Sequence, residues 1–310
     1  MKIAIIGAGA LGSLFGGLLA KSGNDVWLFD PIAKEHIAKI NAEGLVIEEE
    51  GREERIVVKG TTRIEEIGKA KLVALFVKAP YTEEAIKGAL PTISPATWVL
   101  SLQNGLGIID ILERYIKREQ ILRGVTAQGS TLLSPGRIRH AGHGPTWLGR
   151  VSEKGNGEGL QEVIETFNRA GIETYMEKDV KKLVWKKLLI NVGINALTAI
   201  FNIRNGALVA DKDLNEIMRG AVYEAVEVAQ GCGLDFSPTE VIQEVEEVCH
   251  LTAENVSSML QDVRKGNMTE IDYINGAIVR EGERNDIKTP LNRLLVRLIK
   301  ELFGEGGRSS

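Results

Sequence analysis

The sequence predicts an α/β protein in which a doubly wound parallel sheet is followed by an all-helical domain. Short apolar runs alternate with helical patterns in the first half, as in parallel strands joined by helices. A glycine-rich motif, GAGALG, directly follows the first apolar run. From Val180 onward, strand signals nearly vanish and helical periodicity continues to residue 303. These three observations together indicate two domains.

The elements of the first half follow from apolar runs, helical periodicity and turn residues. Strands are predicted at residues 2–6, 25–30, 72–78, 98–103 and 121–127, and helices from the glycines to 21 and at 32–42, 82–90, 107–117 and 160–170. Residues 45–59 hold two β-like runs around Glu50-Gly51-Arg52, which indicates a hairpin. Residues 130–149 suggest antiparallel strands, and residues 155–159 a loop.

The second half is predicted to be helical throughout. Helices are expected within 183–206 and at 214–230, 238–249, 253–264, 274–284 and 290–303. We therefore expect residues 1–176 to form the α/β domain and residues 177–310 the helical one. The long apolar helix faces also suggest a homodimer.

Composition narrows the class of protein. Of the 310 residues, 44% are hydrophobic and 26% charged, which is typical of a soluble globular protein. A net charge of -4 argues against nucleic acid as a partner. No apolar run reaches a length that would span a bilayer, and the N-terminus does not resemble a secretory signal. Because Cys232 and Cys249 are the only cysteines, we expect reduced thiols and a cytoplasmic protein.

The glycine motif predicts dinucleotide binding. Gly7, Gly9 and Gly12 fit G-x-G-x-x-G between a strand and a helix, so the backbone can approach a pyrophosphate at the helix N-terminus. The cofactor-binding segment comprises Gly7, Ala8, Gly9, Ala10, Leu11 and Gly12. A lone motif of this kind is weak, but the strand and helix around it indicate a Rossmann-type domain.

Three polar residues follow later strands of this domain. Asp30 ends the second strand, where a ribose 2′-hydroxyl would be bound, so NAD(H) is favoured, although the nearby Lys34 leaves NADP(H) possible. Lys78 and Asn104 end the next two parallel strands at the edge where ligands bind. Lys78 could equally be a solvated strand end, and Asn104 part of a turn.

A polar row in an apolar helix is the candidate catalytic feature. Lys187, Asn191 and Asn195 are four residues apart, so they lie on one face of the helix. A solvated stripe is the alternative, but asparagine is a mediocre helix former for a solvent face. A dinucleotide-binding domain indicates hydride transfer, for example to a ketone. Reduction of a ketone requires a proton donor, and Lys187 among leucines can serve as one. The two asparagines could bind a carboxylate or hydroxyl.

Other polar residues are weaker candidates than this row. His36 lies in a polar helix and is expected at the surface, and His140 and His143 lack a second ligand pair, so no metal site is predicted. Ser258 is four residues before Asp262, which places both on one helix face, and Glu270 follows. An exposed face, and a charge favoured at a helix N-terminus, explain these residues equally well.

At these motifs the chain resembles the ketopantoate reductase (2-dehydropantoate 2-reductase) family. The resemblance covers nearly the whole chain in order. Its blocks are GAGALG, VKAP, QNG, WKKLLINVGINALTAI, NG at 205–206, AENVSSMLQD and TEIDYING.

The resemblance implies nicotinamide-dependent reduction of ketopantoate to pantoate, for coenzyme A synthesis. It implies that Lys187 is the general acid. Substrate-binding residues would be Asn104, Asn191, Asn195, Asn205, Ser258 and Glu270. Lys78, Asn104 and Glu270 would also contact the cofactor, as would Ser130 by a weaker match.

The chain departs from the family pattern at one position. Many members use NADPH and have a basic residue where this chain has Asp30, which agrees with the preference for NAD(H). The alternatives are another NAD(P)-dependent dehydrogenase, acting on a β-hydroxyacid or polyol phosphate, and a non-catalytic NAD-binding sensor. A phosphate substrate would call for a basic cluster near the row, whereas a sensor would not need Lys187.

Overall fold

The computed structural model describes residues 1–152 and 158–303. Most of the loop expected at 155–159, and the C-terminal residues 304–310, lie outside this range. The chain forms two compact units. Unit 1 comprises Met1–Gln103 and Ile108–Leu183, and unit 2 comprises Asn104–Gly107 and the chain from Val184 onward. The sequence had suggested a division after residue 176.

Unit 1 contains an eight-stranded sheet. Its strands are β1 (Lys2–Ile6), β2 (Asp25–Phe29), β5 (Lys59–Thr61), β6 (Leu72–Leu75), β7 (Trp98–Ser101), β8 (Ile121–Thr126), β11 (Thr146–Arg150) and β12 (Thr174–Met176). The order is β12-β11-β8-β7-β6-β1-β2-β5, and only β11 and β8 pair antiparallel. The predicted doubly wound parallel sheet is therefore confirmed, although β5 and β12 were not predicted.

A second sheet of four strands belongs to the same unit. It contains β3 (Leu45–Glu49), β4 (Arg52–Ile56), β9 (Gly129–Ser134) and β10 (Arg137–Gly142), in the order β4-β3-β10-β9. The predicted hairpin at residues 45–59 is present, and positive φ angles at Glu50 and Gly51 give its two-residue turn. The predicted antiparallel strands of residues 130–149 divide between the two sheets: β9 pairs with β10, and β11 with β8.

The helices of unit 1 are α1 (Ala10–Lys21), α2 (Lys34–Glu43), α3 (Thr82–Ala89), α4 (Ile108–Leu112) and α5 (Glu158–Arg169). Helix α2 begins two residues later than predicted, because the Asp30 carboxylate accepts hydrogen bonds from the N–H groups of Ile32 and Ala33 and holds them in a turn. Helix α4 is shorter than predicted. Buried aliphatic and aromatic side chains of strands and helices form one core, with Phe15 and Phe167 in edge-to-face contact.

The last seven helices are α6 (Val180–Phe201), α7 (Ala207–Ala210), α8 (Lys212–Gly231), α9 (Pro238–Leu251), α10 (Ser258–Arg264), α11 (Asn275–Arg284) and α12 (Pro290–Phe303). Within unit 2, α6 packs closely enough on α8 and α9 that a Cβ on Gly193 would lie 2.8 Å from Val222 and 2.9 Å from Val245. Helix α10 begins later than predicted, because Ser257 caps it.

Helix α6 is long and apolar enough to cross a membrane by length and composition, contrary to the expectation that no run reaches that length. However, 67% of its most apolar window is buried inside the structure. Leu188, Val192 and Leu197 belong to the core of unit 2. Burial in a protein core therefore accounts for the apolar composition of this helix.

Candidate active site

The glycine loop of unit 1 requires glycine at two positions for steric reasons. Gly7 has a φ of +98°, and a Cβ there would lie 2.8 Å from the Val77 nitrogen. A Cβ on Gly12 would lie 2.0 Å from the Gly7 oxygen. By contrast, a Cβ on Gly9 would meet no atom of the described residues within 4 Å. The open side of the loop thus lies at Gly9, which caps α1 at the helix N-terminus where a pyrophosphate would bind.

Asp30 is tied to this loop by its carboxylate. Oδ2 accepts a hydrogen bond from the Ala8 nitrogen at 3.1 Å, and Oδ1 accepts from Ile32 and Ala33 at 3.0 and 2.9 Å. The carboxylate is therefore held beside the glycine loop. It has a structural role in addition to any contact with a ribose.

His36 is buried, so the expectation that it lies at the surface was wrong. Its Nδ1 accepts from the backbone nitrogen of Gly136 at 2.9 Å, which leaves the proton on Nε2, 2.9 Å from the Ser13 hydroxyl. Ser13 in turn donates to the Ala8 oxygen at 3.1 Å. Burial lowers the pKa of His36, with Asp30 acting in the opposite direction. These linked hydrogen bonds support the glycine loop. The polar residues around His36 in the sequence did not indicate that it is buried.

Lys78 and Ser130 lie in different parts of unit 1. Lys78 is half-buried and lies three residues beyond the end of β6. Gln103, to which the sequence assigned no role, donates to the Val77 oxygen at 2.9 Å and to the Thr82 hydroxyl at 2.8 Å, which fixes the segment around Lys78. Ser130 lies in β9 of the small sheet, where its hydroxyl donates to the Arg139 oxygen.

Unit 2 brings Asn104 and Glu270 together although 166 residues separate them. The Asn104 amide donates to Glu270 Oε2 at 3.1 Å. The contact depends on Gly105, which has a φ of +87° and whose Cβ would lie 2.3 Å from the Tyr273 oxygen. The Leu106 nitrogen also donates to that oxygen, at 3.0 Å. The backbone after Asn104 therefore lies directly against the segment that carries Glu270.

The polar row on α6 changes from half-buried to buried along the helix. Lys187 and Asn191 are half-buried, and Asn195 is only 4% exposed. The Asn195 Nδ2 is buried and has no hydrogen-bond partner among the described residues. Lys186, next to Lys187, is exposed and pairs with Glu244 at 2.9 Å. The row is therefore not a solvated stripe, and its buried end presents an unsatisfied donor.

Asn205 presents an unsatisfied acceptor in the same unit. It is 7% exposed, and its Nδ2 donates to the Thr252 hydroxyl at 2.9 Å. Because Thr252 donates its own proton to the Val248 oxygen at 2.6 Å, the amide must have this orientation. The buried Oδ1 is then left without a partner in the part of the chain that the structure describes. Gly206 allows the backbone next to Asn205 to lie close to Ala253, since a Cβ on Gly206 would lie 2.7 Å from the Ala253 side chain.

Ser258 is exposed, whereas its neighbour Ser257 is buried. The Ser257 hydroxyl caps α10 by accepting from the Leu260 nitrogen at 3.1 Å, and it lies 2.7 Å from the Thr198 hydroxyl of α6. Ser258 is thus the first residue of the helix, with its side chain accessible. Ser257 and Thr198 join α10 to α6, a role that the sequence did not reveal.

Comparisons with known proteins cover the whole chain. The domain family described as ketopantoate reductase PanE/ApbA matches residues 3–153, and its C-terminal counterpart matches residues 179–303. The 2-dehydropantoate 2-reductase of Pyrococcus horikoshii is 40% identical over 313 residues, with 100% of each chain covered. Among solved structures, D-mandelate dehydrogenase with NADH and anilino(oxo)acetate has a TM-score of 0.92 at 30% identity, with 98% of each chain covered. The PanE/ApbA family ketopantoate reductase of Ralstonia eutropha JMP134 has a TM-score of 0.89 at 30% identity, also with 98% of each covered.

Proposed function

Because the chain belongs to the ketopantoate reductase family, we propose that it reduces 2-dehydropantoate (ketopantoate) to pantoate with a nicotinamide cofactor, in pantothenate and coenzyme A biosynthesis. The observation that carries this proposal concerns two residues that the family resemblance assigns to the substrate, Asn195 and Asn205. Each has a buried amide atom, Nδ2 and Oδ1 respectively, without a hydrogen-bond partner among the described residues. Buried polar atoms without partners are rare in proteins, so a ligand is the natural source of their hydrogen bonds.

The two atoms match the polar groups of ketopantoate. This substrate has a carboxylate and a 2-keto oxygen, which only accept hydrogen bonds, and a distal hydroxyl, which can donate one. Asn195 Nδ2 is a donor and suits an acceptor of the keto acid, and Asn205 Oδ1 is an acceptor and suits the hydroxyl. Asn191 and Ser258, which are half-buried and exposed respectively, are proposed as further substrate contacts.

Lys187 is proposed as the general acid. A bound nicotinamide supplies the hydride that adds to C2 of the keto acid. Lys187 holds a proton on Nζ and donates it to the carbonyl oxygen, where negative charge develops. Its half-buried position on α6, one turn from Asn191 and two from Asn195, suits a group that acts on a bound ligand. Losing such an acid costs about 10²–10⁴-fold in rate.

The residues of unit 1 fit a dinucleotide. The open side of the glycine loop and the N-terminus of α1 would hold the pyrophosphate, with the segment from Gly7 to Gly12 in contact with it. Lys78, Ser130, Asn104 and Glu270 are proposed as further cofactor contacts, the last two also serving the substrate.

We propose NAD(H) as the preferred cofactor. The Asp30 carboxylate is held beside the glycine loop by three backbone N–H groups and would repel a 2′-phosphate. Lys34 is exposed at the start of α2 and is the cation that could offset this repulsion.

A second candidate is reduction of another 2-keto acid, which the similarity to D-mandelate dehydrogenase favours. A keto acid without a distal hydroxyl would leave Asn205 Oδ1 unpaired in a buried position. Such an orphaned acceptor costs about 1–3 kcal/mol. Ketopantoate is therefore the better match to this chain.

We also propose a cytoplasmic homodimer. Leu294, Leu298 and Leu302 are four residues apart on α12, and each is at least 40% exposed. They form an apolar stripe on one helix face, which a second copy of the chain would cover. Light scattering of the wild type and of Leu298→Glu tests this, and a monomeric wild type would contradict it.

The first experiment is an initial-rate assay with ketopantoate, comparing NADH and NADPH at equal concentration. Faster turnover with NADH supports both the substrate and the role given to Asp30. Faster turnover with NADPH retains the reaction and refutes the cofactor preference. If neither cofactor supports turnover while NADH still binds, the substrate is wrong, and other keto acids become the next test.

A further inference from the structure

A cluster of possible metal ligands lies in unit 1, outside the residues assigned to ketopantoate reduction. It contains Glu49, His140 and His143, whose ligand atoms all lie within 4.8 Å of one another. The sequence argued against a metal site because the two histidines lacked a second ligand pair. The third ligand instead comes from β3, a strand some 90 residues earlier.

The small sheet explains why these residues meet. Strands β3 and β10 run parallel, and their register pairs Arg139 with Glu48. One residue further along, Glu49 and His140 are therefore neighbours on the same face of the sheet, and His143 follows just beyond the end of β10. Two strands of regular structure thus fix two of the three ligands.

The distances from the Glu49 carboxylate to both histidines suit a metal ion. Glu49 Oε1 lies 2.9 Å from His140 Nδ1 and 3.3 Å from His143 Nε2. Bonds of about 2.0–2.2 Å to a zinc ion place neighbouring ligand atoms about 3.0–3.5 Å apart in octahedral or tetrahedral geometry. One carboxylate oxygen and two imidazole nitrogens form a set that zinc readily accepts.

Hydrogen bonding at His140 leaves its Nδ1 facing the carboxylate. Its Nε2 lies 2.6 Å from Gln128 Oε1, and the Gln128 Nε2 donates to the Gly144 oxygen at 2.6 Å, so the amide cannot be reversed. His140 Nε2 must therefore be the donor, and a neutral ring then presents the Nδ1 lone pair to Glu49. A carboxylate and a lone pair at this distance repel each other unless a cation lies between them.

The surroundings of His140 provide the outer contacts that a metal-binding histidine needs. The His140 side chain is only 8% exposed, so its neighbours hold the ring in place. A ligating histidine usually donates its other ring N–H to an oxygen, as His140 does to Gln128. Glu49 and His143 are 48% and 54% exposed and line a cavity of about 730 Å³, so an ion and its waters can enter from solvent.

We propose that Glu49 Oε1, His140 Nδ1 and His143 Nε2 bind one zinc ion, with water completing its coordination. The ion would join the β3–β4 hairpin to the end of β10, so its role is to stabilise the small sheet. None of the three ligands belongs to the proposed substrate or cofactor contacts, so the proposal stands independently of the reaction.

The test is a zinc titration of the full-length protein after dialysis against a chelator, followed by calorimetry. We expect one zinc ion per chain and a higher thermal midpoint with zinc. His143→Ala should weaken zinc binding by about tenfold or more, and Gln128→Ala by about 10–100-fold. The matched control is His250→Ala, which removes an exposed histidine from α9 and should leave zinc binding unchanged.

Because His143 is exposed, its alanine variant should fold, and circular dichroism without zinc verifies this. Cobalt substitution gives a second readout, since its visible spectrum reports nitrogen and oxygen ligands directly. The proposal is overturned if the wild type binds zinc no more tightly than His143→Ala, or if zinc raises the thermal midpoints of both proteins equally.

Discussion

Asn205 offers a sharp test of the proposed substrate. Its buried Oδ1 has no partner within residues 1–152 and 158–303, and we propose that it accepts a hydrogen bond from the distal hydroxyl of ketopantoate. The test combines two changes. Asn205→Ala removes the amide from the protein, and a substrate analogue lacks the hydroxyl. The second change uses trimethylpyruvate, which has the same carbon skeleton without the hydroxyl.

The expected magnitude follows from the burial of this amide. Leaving a buried hydrogen-bonding group unpaired costs about 1–3 kcal/mol, which corresponds to about 5- to 150-fold in kcat/KM. The wild type should therefore prefer ketopantoate over trimethylpyruvate by about that factor. In Asn205→Ala the preference should vanish, because kcat/KM falls for ketopantoate and changes little for the analogue.

The assay is the initial rate of NADH oxidation with each substrate, measured for the wild type, for Asn205→Ala and for a control variant. Asn255→Ala is the matched control, since it removes an exposed asparagine from the loop between α9 and α10, whose backbone contacts Asn205. If Asn205→Ala lowers kcat/KM equally for both substrates, its effect comes from the lost bond to Thr252, and the assignment to the hydroxyl is refuted.

Three further predictions concern catalysis, backbone conformation and pH. Lys187→Ala should lower kcat by about 10²–10⁴-fold with folding intact. Lys186→Ala, which removes an exposed ion pair, should change kcat by less than about twofold. Equal effects of the two variants in steady-state assays would contradict the general-acid role. In urea denaturation, Gly105→Ala should lower the free energy of unfolding more than Gly107→Ala. Both glycines have φ near +87°, but at Gly105 a backbone oxygen would lie 2.3 Å from the new Cβ. Similar losses in the two variants would refute the steric argument. Burial lowers the pKa of His36 below that of an ordinary histidine. The part of the free energy of unfolding that depends on the neutral ring is therefore fully present above the ordinary pKa, and it is lost as the pH falls through the lowered pKa. The thermal midpoint should therefore fall more steeply below about pH 6.5 in the wild type than in His36→Gln, and parallel curves would count against this.

Local patterns in the sequence were enough to predict much of this fold. The alternation of apolar runs with helical periodicity predicted the parallel sheet, and the glycine spacing predicted the loop after β1. Both depend on residues within a few positions of one another, where steric and hydrogen-bonding preferences act directly. The four-residue spacing of Lys187, Asn191 and Asn195 predicted one polar helix face for the same reason.

Errors in the prediction arose where distant contacts overrode local pattern. His36 lies in a polar segment, yet Ser13 and Gly136 satisfy both of its ring nitrogens in a buried position. Strand β12 has only three residues and exists because β11 pairs with it. Neither feature has a sequence signature, since each depends on a partner elsewhere in the chain.

The sequence by itself determined the order of the elements, the dinucleotide motif and the chemical types of the candidate site residues, because these follow from short-range periodicity and side-chain chemistry. The tertiary structure decided which polar atoms are buried without a partner, as at Asn195 and Asn205. It also decided which distant residues meet: Asn104 with Glu270 in unit 2, and Glu49 with His140 in unit 1. The physical reason is that burial and long-range pairing depend on how the elements pack, and a residue's neighbours along the chain do not specify that packing.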